Sequence, residues 1–261
     1  MDKKLKLGLK LWSVNTAMIP FTKTLYDGGV FDYIELYAVP GTFDETIAEW
    51  KKFPGPYVVH APHNTHGFNL AQKELRQNNK AKFEEVKRFT EALKAPWIIV
   101  HGGNNGTVEE TIVQFQALDD RRILVENKPM KGHRGQVLIG FSPDDISRIC
   151  GEAHLSGMVL DFSHAVCAAN SLRKNPMDWV RSFLGLPIKM FHIGDGDWHS
   201  EADTHKHFGE GSFPIEEFLQ CIPDGAMVSV ETRMDPKEQL KDCQADLDFL
   251  RNFCQAMRGS E

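Results

Sequence analysis

The chain has 261 residues, a formal net charge of -6, 41% hydrophobic residues and 25% charged residues. This composition is typical of a soluble globular protein, and the length suits one (β/α)₈ barrel better than one β-sandwich. The acidic balance gives no indication of a general affinity for polyanions. It argues only weakly against nucleic acid, because basic patches can be local.

The cysteines and the apolar runs indicate the cellular setting. Five cysteines are widely spaced without a CxxC pair, which predicts reduced thiols and a cytoplasmic location. The opening stretch "MDKKLKLGLKLW" lacks the long apolar core of a signal peptide. No apolar run approaches the length that a membrane span requires, so we expect no membrane partner.

Short apolar segments alternate with segments of helical periodicity along the whole chain. The segments that predict strands are 5–12, 32–38, 57–60, 97–101, 122–127, 157–162, 188–193 and 226–232. The clearest helices are predicted over 71–94, over 142–153 and over 236–253. The second of these opens with Ser142 as N-cap and Pro143 at the first helical position.

Eight strands that alternate with helices predict an α/β fold, a single (β/α)₈ TIM barrel with its active site at the C-terminal ends of the strands. A doubly wound sheet is the alternative. That fold usually has fewer strands and a glycine-rich first turn, which "KLWSVNTAM" is not. Because no linker, repeat or low-complexity segment interrupts the pattern, we expect one domain over 1–261.

Polar residues interrupt the apolar pattern where the predicted strands end. They are His60, His101, Glu126, Asp161 with His164 three residues later, His192 and Glu231, on strands three to eight in that order. In a barrel these ends face one mouth. Alternation along a strand places Glu126 on the face of Leu124, which indicates that the polar side chains point inward.

Carboxylates and imidazoles that converge without CxxC suit a divalent ion, with Zn²⁺ or Mn²⁺ ahead of Mg²⁺ or Co²⁺. The predicted ligands of one ion are Glu126, Asp161, His192 and Glu231. His60 and His101 are candidates for a second ion beside Glu126, and His164, Asp203 and His205 for a third. The remaining acids and histidines of 192–211, among them Asp195 and His207, are interpreted as a polar rim.

The motifs along the chain resemble the xylose isomerase-like TIM-barrel superfamily. That superfamily contains sugar and sugar-phosphate isomerases and epimerases together with the endonuclease IV type of AP endonuclease. The motifs are "LGLKLWSV" (7–14), "YVVHAP" (57–62), "IIVHGG" (98–103), "ILVENKP" (123–129), "VLDFSHA" (159–165), "FHIGD" (191–195), "DTHKHFGEGSFP" (203–214) and "VSVET" (228–232). The resemblance implies the metal quartet of Glu126, Asp161, His192 and Glu231. It also implies an acid–base role for both glutamates and substrate contact by His164.

Departures from both branches of the superfamily bear on the reaction. All the extra ligands of a three-zinc nuclease are present, namely His60, His101, His164, Asp203 and His205. Four motifs of the nuclease type differ in this chain. The His-x-Ser opening is replaced by "LKLWSV" and "DTCH" by "DFSH"; "HxNDxK" is replaced by "HIGDGDW" and "DRH" by "DTH". Ketohexose epimerases would carry a glutamate at Gly132 and an arginine at Trp198. Free ketohexoses are therefore disfavoured as substrates.

The combined pattern predicts an isomerase or epimerase that uses one to three divalent ions and acts on a sugar, sugar phosphate or related polyol. Glu126 and Glu231 would move a proton beside a carbonyl that the ion polarises. The predicted substrate-side residues are His63, His164, Lys128 and Arg233. The alternatives are a zinc-dependent AP endonuclease, with nucleic acid as partner, and a metal-binding protein without catalysis. A homo-oligomer is left open.

Overall fold

The computed structural model describes residues 4–234 and 240–256. Eight parallel strands pair in sequence order and close into a barrel, with β1 hydrogen-bonded to both β2 and β8. The strands are β1 Lys6–Trp12, β2 Tyr33–Tyr37, β3 Tyr57–His60, β4 Ile98–His101, β5 Ile123–Glu126, β6 Gly157–Asp161, β7 Ile188–Ile193 and β8 Met227–Val230. The predicted (β/α)₈ barrel is confirmed.

Helices cover the outside of the barrel between successive strands. They are α1 Ile19–Asp27, α2 Phe43–Trp50, α3 Arg76–Ala92, α4 Val108–Leu118, α5 Pro143–Glu152, α6 Phe162–Ser171, α7 Pro176–Ser182, α8 Ile215–Cys221 and α9 Lys241–Ala256. The predicted cap is present, since the Ser142 side chain accepts a hydrogen bond from the Asp145 amide. In the described ranges, no helix combines the length and hydrophobicity that crossing a membrane requires.

A layer of side chains fills the lower part of the barrel and supports the site. The residues of this layer, one from each of β2 to β7, are Tyr33, Val58, Ile99, Leu124, Val159 and Met190. Each lies two positions before a polar residue further along its strand. Because side chains alternate between the two faces of a strand, those polar residues share the inward face and form the next layer up.

The turn from β6 into α6 places two site residues at once. Asp161 is the last residue of β6 and the N-cap of α6, and its Oδ1 accepts a hydrogen bond from the His164 amide at 2.7 Å. The neighbouring strand is tied to the same point, because the Asn127 side chain donates to the Asp161 carbonyl and accepts from the Asp161 amide. This exchange fixes the ends of β5 and β6 relative to each other.

Candidate functional site

The inward polar layer contributes five residues, Lys10, His60, His101, Glu126 and Glu231, to the lining of a cavity of about 920 Å³ at the C-terminal ends of the strands. The layer consists of Lys10, Glu35, His60, His101, Glu126, Asp161, His192 and Glu231. The acids and most of the imidazoles among them are buried. A cavity of this size and position is where TIM-barrel proteins place a small-molecule site.

Glu126 lies at the centre of one half of this layer. Its Oε2 is 3.2 Å from His60 Nε2 and 3.0 Å from His101 Nε2. Its Oε1 is 3.1 Å from Lys128 Nζ and 3.0 Å from His164 Nδ1. One carboxylate therefore joins residues of β3, β4 and β5 to the start of α6.

His192 lies at the centre of the other half. Its Nδ1 is 2.8 Å from Glu231 Oε1, 3.7 Å from Glu126 Oε2 and 3.9 Å from Asp161 Oδ2. Its Nε2 lies 2.9 Å from Glu35 Oε2, on the side away from the cavity. The structure therefore gathers the predicted quartet around one imidazole nitrogen.

The third predicted group lies at the rim of the cavity. Asp203 Oδ2 is 3.3 Å from His164 Nε2 and 2.9 Å from His205 Nε2, so the three residues form a chain of contacts. His205 is 40% exposed and has a left-handed φ of 45°. Asp203 thus connects an exposed histidine of the β7–α8 loop to the buried start of α6.

Four imidazoles are oriented with one nitrogen toward the site and the other toward an acceptor behind it. Nδ1 donates to a backbone carbonyl in three of them: His60 to Ala61, His164 to Asn127 and His205 to Glu231, at 2.7, 2.9 and 2.8 Å. In the fourth, His192 donates through Nε2 to the Glu35 carboxylate. A carbonyl oxygen only accepts, so in a neutral ring the nitrogen that faces the site carries the lone pair. In the ion-free protein the neighbouring carboxylates outweigh burial: they raise the pKa of His192 well above its usual range and those of His164 and His205 to about 10 and about 9. A bound ion would replace the front proton of these rings.

This donor set fits a divalent cation. Among the described residues, ligand atoms lie within 4.8 Å of one another in three groups: His60–His101–Glu126, Glu35–His192–Glu231 and Glu126–Asp161–His192. Lone-pair imidazoles supported from behind by hydrogen bonds, together with carboxylates, are the ligands that such an ion prefers. The His164–Asp203–His205 chain is in contact but is not one of these groups.

The charges of the site also favour a cation. Burial would raise the pKa of Glu126, but the ammonium of Lys128 and the His101 ring hold that pKa well below its usual range. Burial likewise opposes ionisation of Glu231, but His192 and Lys10 outweigh it and lower the pKa. The pKa of Asp161 is instead raised by burial, to about 6. At neutral pH the site therefore holds ionised, buried carboxylates. In the ion-free protein the ammonium groups of Lys128 and Lys10 balance them together with His192, whose pKa Glu231 and Glu35 raise against the effect of burial.

Lys10 and Glu35 are site residues that the sequence reasoning missed. Lys10 pairs with both Glu35 and Glu231, and Glu35 is fully buried against His192. The signal was present in the alternation of β1 and β2. Glu35 stands two residues after buried Tyr33, and Lys10 two residues after Gly8, whose partner in register is Tyr33.

The predicted substrate-side residues are spread around the cavity wall. The His63 ring stacks on His101 with centroids 5.5 Å apart, and burial lowers its pKa to about 3. Lys128 reaches the polar layer, whereas Arg233 stays at the rim and pairs with Glu210. All of them line the cavity, beside a wall that contains Trp12.

The loop between β7 and α8 contains one buried clamp instead of a uniformly polar rim. Asp195 is 2% exposed, and its carboxylate accepts hydrogen bonds from the amides of Gly196, Gly209, Gly211 and Phe213. The interpretation of Asp195 as a rim residue was therefore wrong. The "GEG" segment matters because its amides face this carboxylate, which holds the loop that carries Asp203 and His205.

The chain belongs to the xylose isomerase-like TIM-barrel family, whose model matches residues 27–253. The resemblance drawn from the motifs is thereby confirmed. A curated relative, the probable endonuclease 4 of Thermoplasma volcanium, is 28% identical over 177 residues. That match covers 62% of this chain and 61% of the relative, so the chain spans less than two thirds of the relative's length.

Solved structures with the same fold carry names from both branches of the superfamily. A D-tagatose 3-epimerase-like protein aligns with a TM-score of 0.68 at 18% identity, covering 97% of this chain and 99% of the other. Endonuclease IV from Thermus thermophilus aligns with a TM-score of 0.67 at 19% identity, covering 95% and 99%. The 3-keto-D-glucoside 4-epimerase of E. coli gives 0.64 at 16%, covering 95% and 100%. At these identities the likeness shows the fold.

Proposed function

We propose that this protein is a divalent-metal-dependent isomerase or epimerase that acts on a sugar, a sugar phosphate or a related polyol. The observation that carries the proposal is the placement of two ionised glutamates around one point. Glu231 and Glu126 lie 2.8 and 3.7 Å from the same Nδ1 of His192, yet they come from different strands. Two carboxylates arranged in this way can transfer protons at one substrate carbon or at its neighbour from different sides.

The predicted quartet of Glu126, Asp161, His192 and Glu231 would hold the ion. A divalent ion bound there would act as a Lewis acid on adjacent carbonyl and hydroxyl oxygens of the substrate. Glu35 would keep His192 in the tautomer whose Nδ1 faces the ion.

The two glutamates would carry the proton. An ionised carboxylate is the form that takes up a proton, and both pKa values lie below their usual range. Either residue can therefore serve as the base that removes a proton next to a carbonyl. One such base that returns the proton to a neighbouring position suffices for an isomerisation. An epimerisation requires the second glutamate as the acid on the other face, and its pKa must rise on binding of ion and substrate so that it carries a proton before the step.

Proton exchange tests this proposal directly. Aldoses, ketoses and their phosphates are incubated with the protein and Mn²⁺, Zn²⁺, Mg²⁺ or Co²⁺ in deuterated water, and deuterium at carbon is measured by NMR. We expect exchange with at least one substrate, and a loss of about 100- to 10,000-fold in the Glu126→Gln and Glu231→Gln variants. Glu201→Gln is the matched control, because Glu201 is an exposed acid paired with Lys131. Absence of exchange across the panel would contradict the proposal.

A zinc-dependent AP endonuclease is the second candidate function. It is favoured by the two further ligand sets, His60–His101 beside Glu126 and the His164–Asp203–His205 chain, and by the endonuclease 4 relative. Cleavage of a duplex that contains one abasic site, in the presence of Zn²⁺, tests it. Nicking that disappears in Glu126→Gln would establish this function, and absence of DNA binding at low salt would exclude it.

A further inference from the structure

We propose that the ammonium group of Lys128 takes the place of a second divalent ion, so that the centre holds a single ion. This inference rests on the metal centre of the proposed function but not on the reaction. The residue lies next to Glu126, at a position where an isolated basic residue would ordinarily be solvated. Its charge is instead directed into the ligand cluster.

The contacts of Lys128 are those expected of a cation that replaces a metal. Its Nζ lies 3.1 Å from Glu126 Oε1, 3.3 Å from His101 Nε2 and 3.2 Å from His164 Nε2. An ammonium group has three donors and no acceptor, and here it meets one carboxylate oxygen and two imidazole nitrogens. Each of these imidazole nitrogens also faces a carboxylate, His101 Nε2 that of Glu126 at 3.0 Å and His164 Nε2 that of Asp203 at 3.3 Å. A ring nitrogen therefore accepts from Lys128 only in the state in which it does not donate to that carboxylate.

These three partners belong to the two additional ion sites that the sequence predicted. His101 and Glu126 belong to the second set, and His164 belongs to the third. One ammonium that bonds to members of both sets removes ligands from both. Among the described contacts, Lys128 meets two of the three members of the second set, whereas Lys128 and Lys10 each meet the quartet around His192 at one carboxylate, Glu126 and Glu231.

The position of the lysine is fixed by the surrounding backbone. The Lys128 amide donates to the Gly140 carbonyl at 3.0 Å, and Pro129 follows directly. On the other side, Asn127 is held by its exchange of hydrogen bonds with Asp161. The lysine side chain is only 11% exposed, so its reach into the site is part of the packed structure.

Among the described contacts, Lys128 meets the group around His192 through Glu126 alone. Glu126, Asp161 and His192 present ligand atoms within 4.8 Å of one another, and the contact that Lys128 makes with Glu126 uses Oε1. Glu126 Oε2 is the oxygen that approaches His192. One divalent ion and one ammonium can therefore share Glu126 through its two oxygens.

Metal stoichiometry without substrate tests the inference. The protein is stripped with chelator, loaded with Zn²⁺ alone or Mn²⁺ alone, freed of unbound ion by gel filtration, and analysed by elemental and native mass spectrometry. We expect one tightly held ion per chain in the wild type and at least one more in Lys128→Met. Lys128→Arg retains the charge and should still bind one ion. Lys131→Met is the matched control, because that lysine of the same loop is exposed and pairs with Glu201.

The outcomes separate this inference from the proposed reaction. Two or three ions in the wild type would overturn it, as would an unchanged stoichiometry in Lys128→Met. Lys128→Gln provides a second, more polar variant, and circular dichroism establishes that each variant is folded. If the wild type binds one ion, Lys128→Met binds more and no sugar exchanges its proton, the inference stands and the proposed reaction fails. Absence of any bound ion would refute both.

Discussion

At the scale of single residues, the site is organised by the groups behind the ligands. The carboxylate of Glu35 receives the Nε2 proton of His192, and backbone carbonyls do the same for His60, His164 and His205. Fixing the proton on the rear nitrogen fixes the lone pair on the front one. The ligand geometry of the proposed centre would therefore depend on the hydrogen-bond partners behind these rings.

Glu35→Gln tests this dependence. The amide keeps the shape of Glu35 but removes the negative charge behind His192, and it can present an N–H where an acceptor is required. We expect the affinity for Zn²⁺ or Mn²⁺ to fall by about 10- to 100-fold, measured by competition with a chromophoric chelator. Glu49→Gln, at an exposed acid on α2 that pairs with Lys52, should leave the affinity unchanged. An unaltered affinity in Glu35→Gln would show that Glu35 does not orient His192.

A physical difference separates the site residues that could be predicted from the sequence from those that could not. Six strand-end residues could be predicted because a polar group that ends an apolar run stands out. Glu35 lies within "YIELY", where only the alternation with Tyr33 indicates its inward face and no polar strand end draws attention to it. Lys10 carries a long flexible stem, so its Cα position does not determine where its charge lies. Only the closure of the barrel brings both charges to His192 and Glu231.

At the scale of elements, strand bounds could be predicted to within two residues because each strand is a short apolar run with abrupt ends. Helix starts were harder to predict. The helix predicted over 71–94 begins as a 3₁₀ turn at Lys73–Leu75 and becomes α-helical only over Arg76–Ala92. The last helix was predicted over 236–253 and is described from Lys241 to Ala256; residues 235–239 lie outside the described ranges.

The Asp195 clamp determines the shape of the β7–α8 loop, and its removal should be costly. In Asp195→Ala four backbone amides lose their acceptor, and two of them, those of Gly196 and Phe213, belong to buried residues. We expect a loss of about 3 kcal/mol in the free energy of unfolding, measured by urea denaturation. Asp197→Ala is the matched control, because it removes an exposed acid of the same loop that accepts from the His199 amide, and it should cost about 0.5 kcal/mol. Equal losses in the two variants would contradict the clamp.

At the scale of the whole molecule, the barrel works as two stacked layers. The lower layer is apolar apart from Tyr33, whose hydroxyl bonds Ser229 of β8 at 3.0 Å, past Gly8 of the intervening strand β1. The upper layer carries the charges. The register of β1 against β2 pairs Gly8 with Tyr33 and Lys10 with Glu35, so the same strand pair contributes to both layers. The packing of the lower layer therefore determines the position along the barrel axis at which the charged groups of the upper layer meet.

This layering depends on the absence of a side chain at Gly8. A Cβ built there would lie 2.4 Å from the Tyr33 ring, which is buried and has no space to withdraw. We expect Gly8→Ala to lower the free energy of unfolding by about 1 to 3 kcal/mol through overpacking. Gly151→Ala, on the exposed side of α5 with nothing within 4 Å of the new Cβ, should instead raise it by about 0.5 to 1 kcal/mol through helix propensity. Denaturant unfolding of both variants measures the difference. If Gly8→Ala is as stable as the wild type, packing against Tyr33 does not limit the position of β1. The position of Lys10 along the barrel axis must then be determined by its pairing with Glu231 in the upper layer.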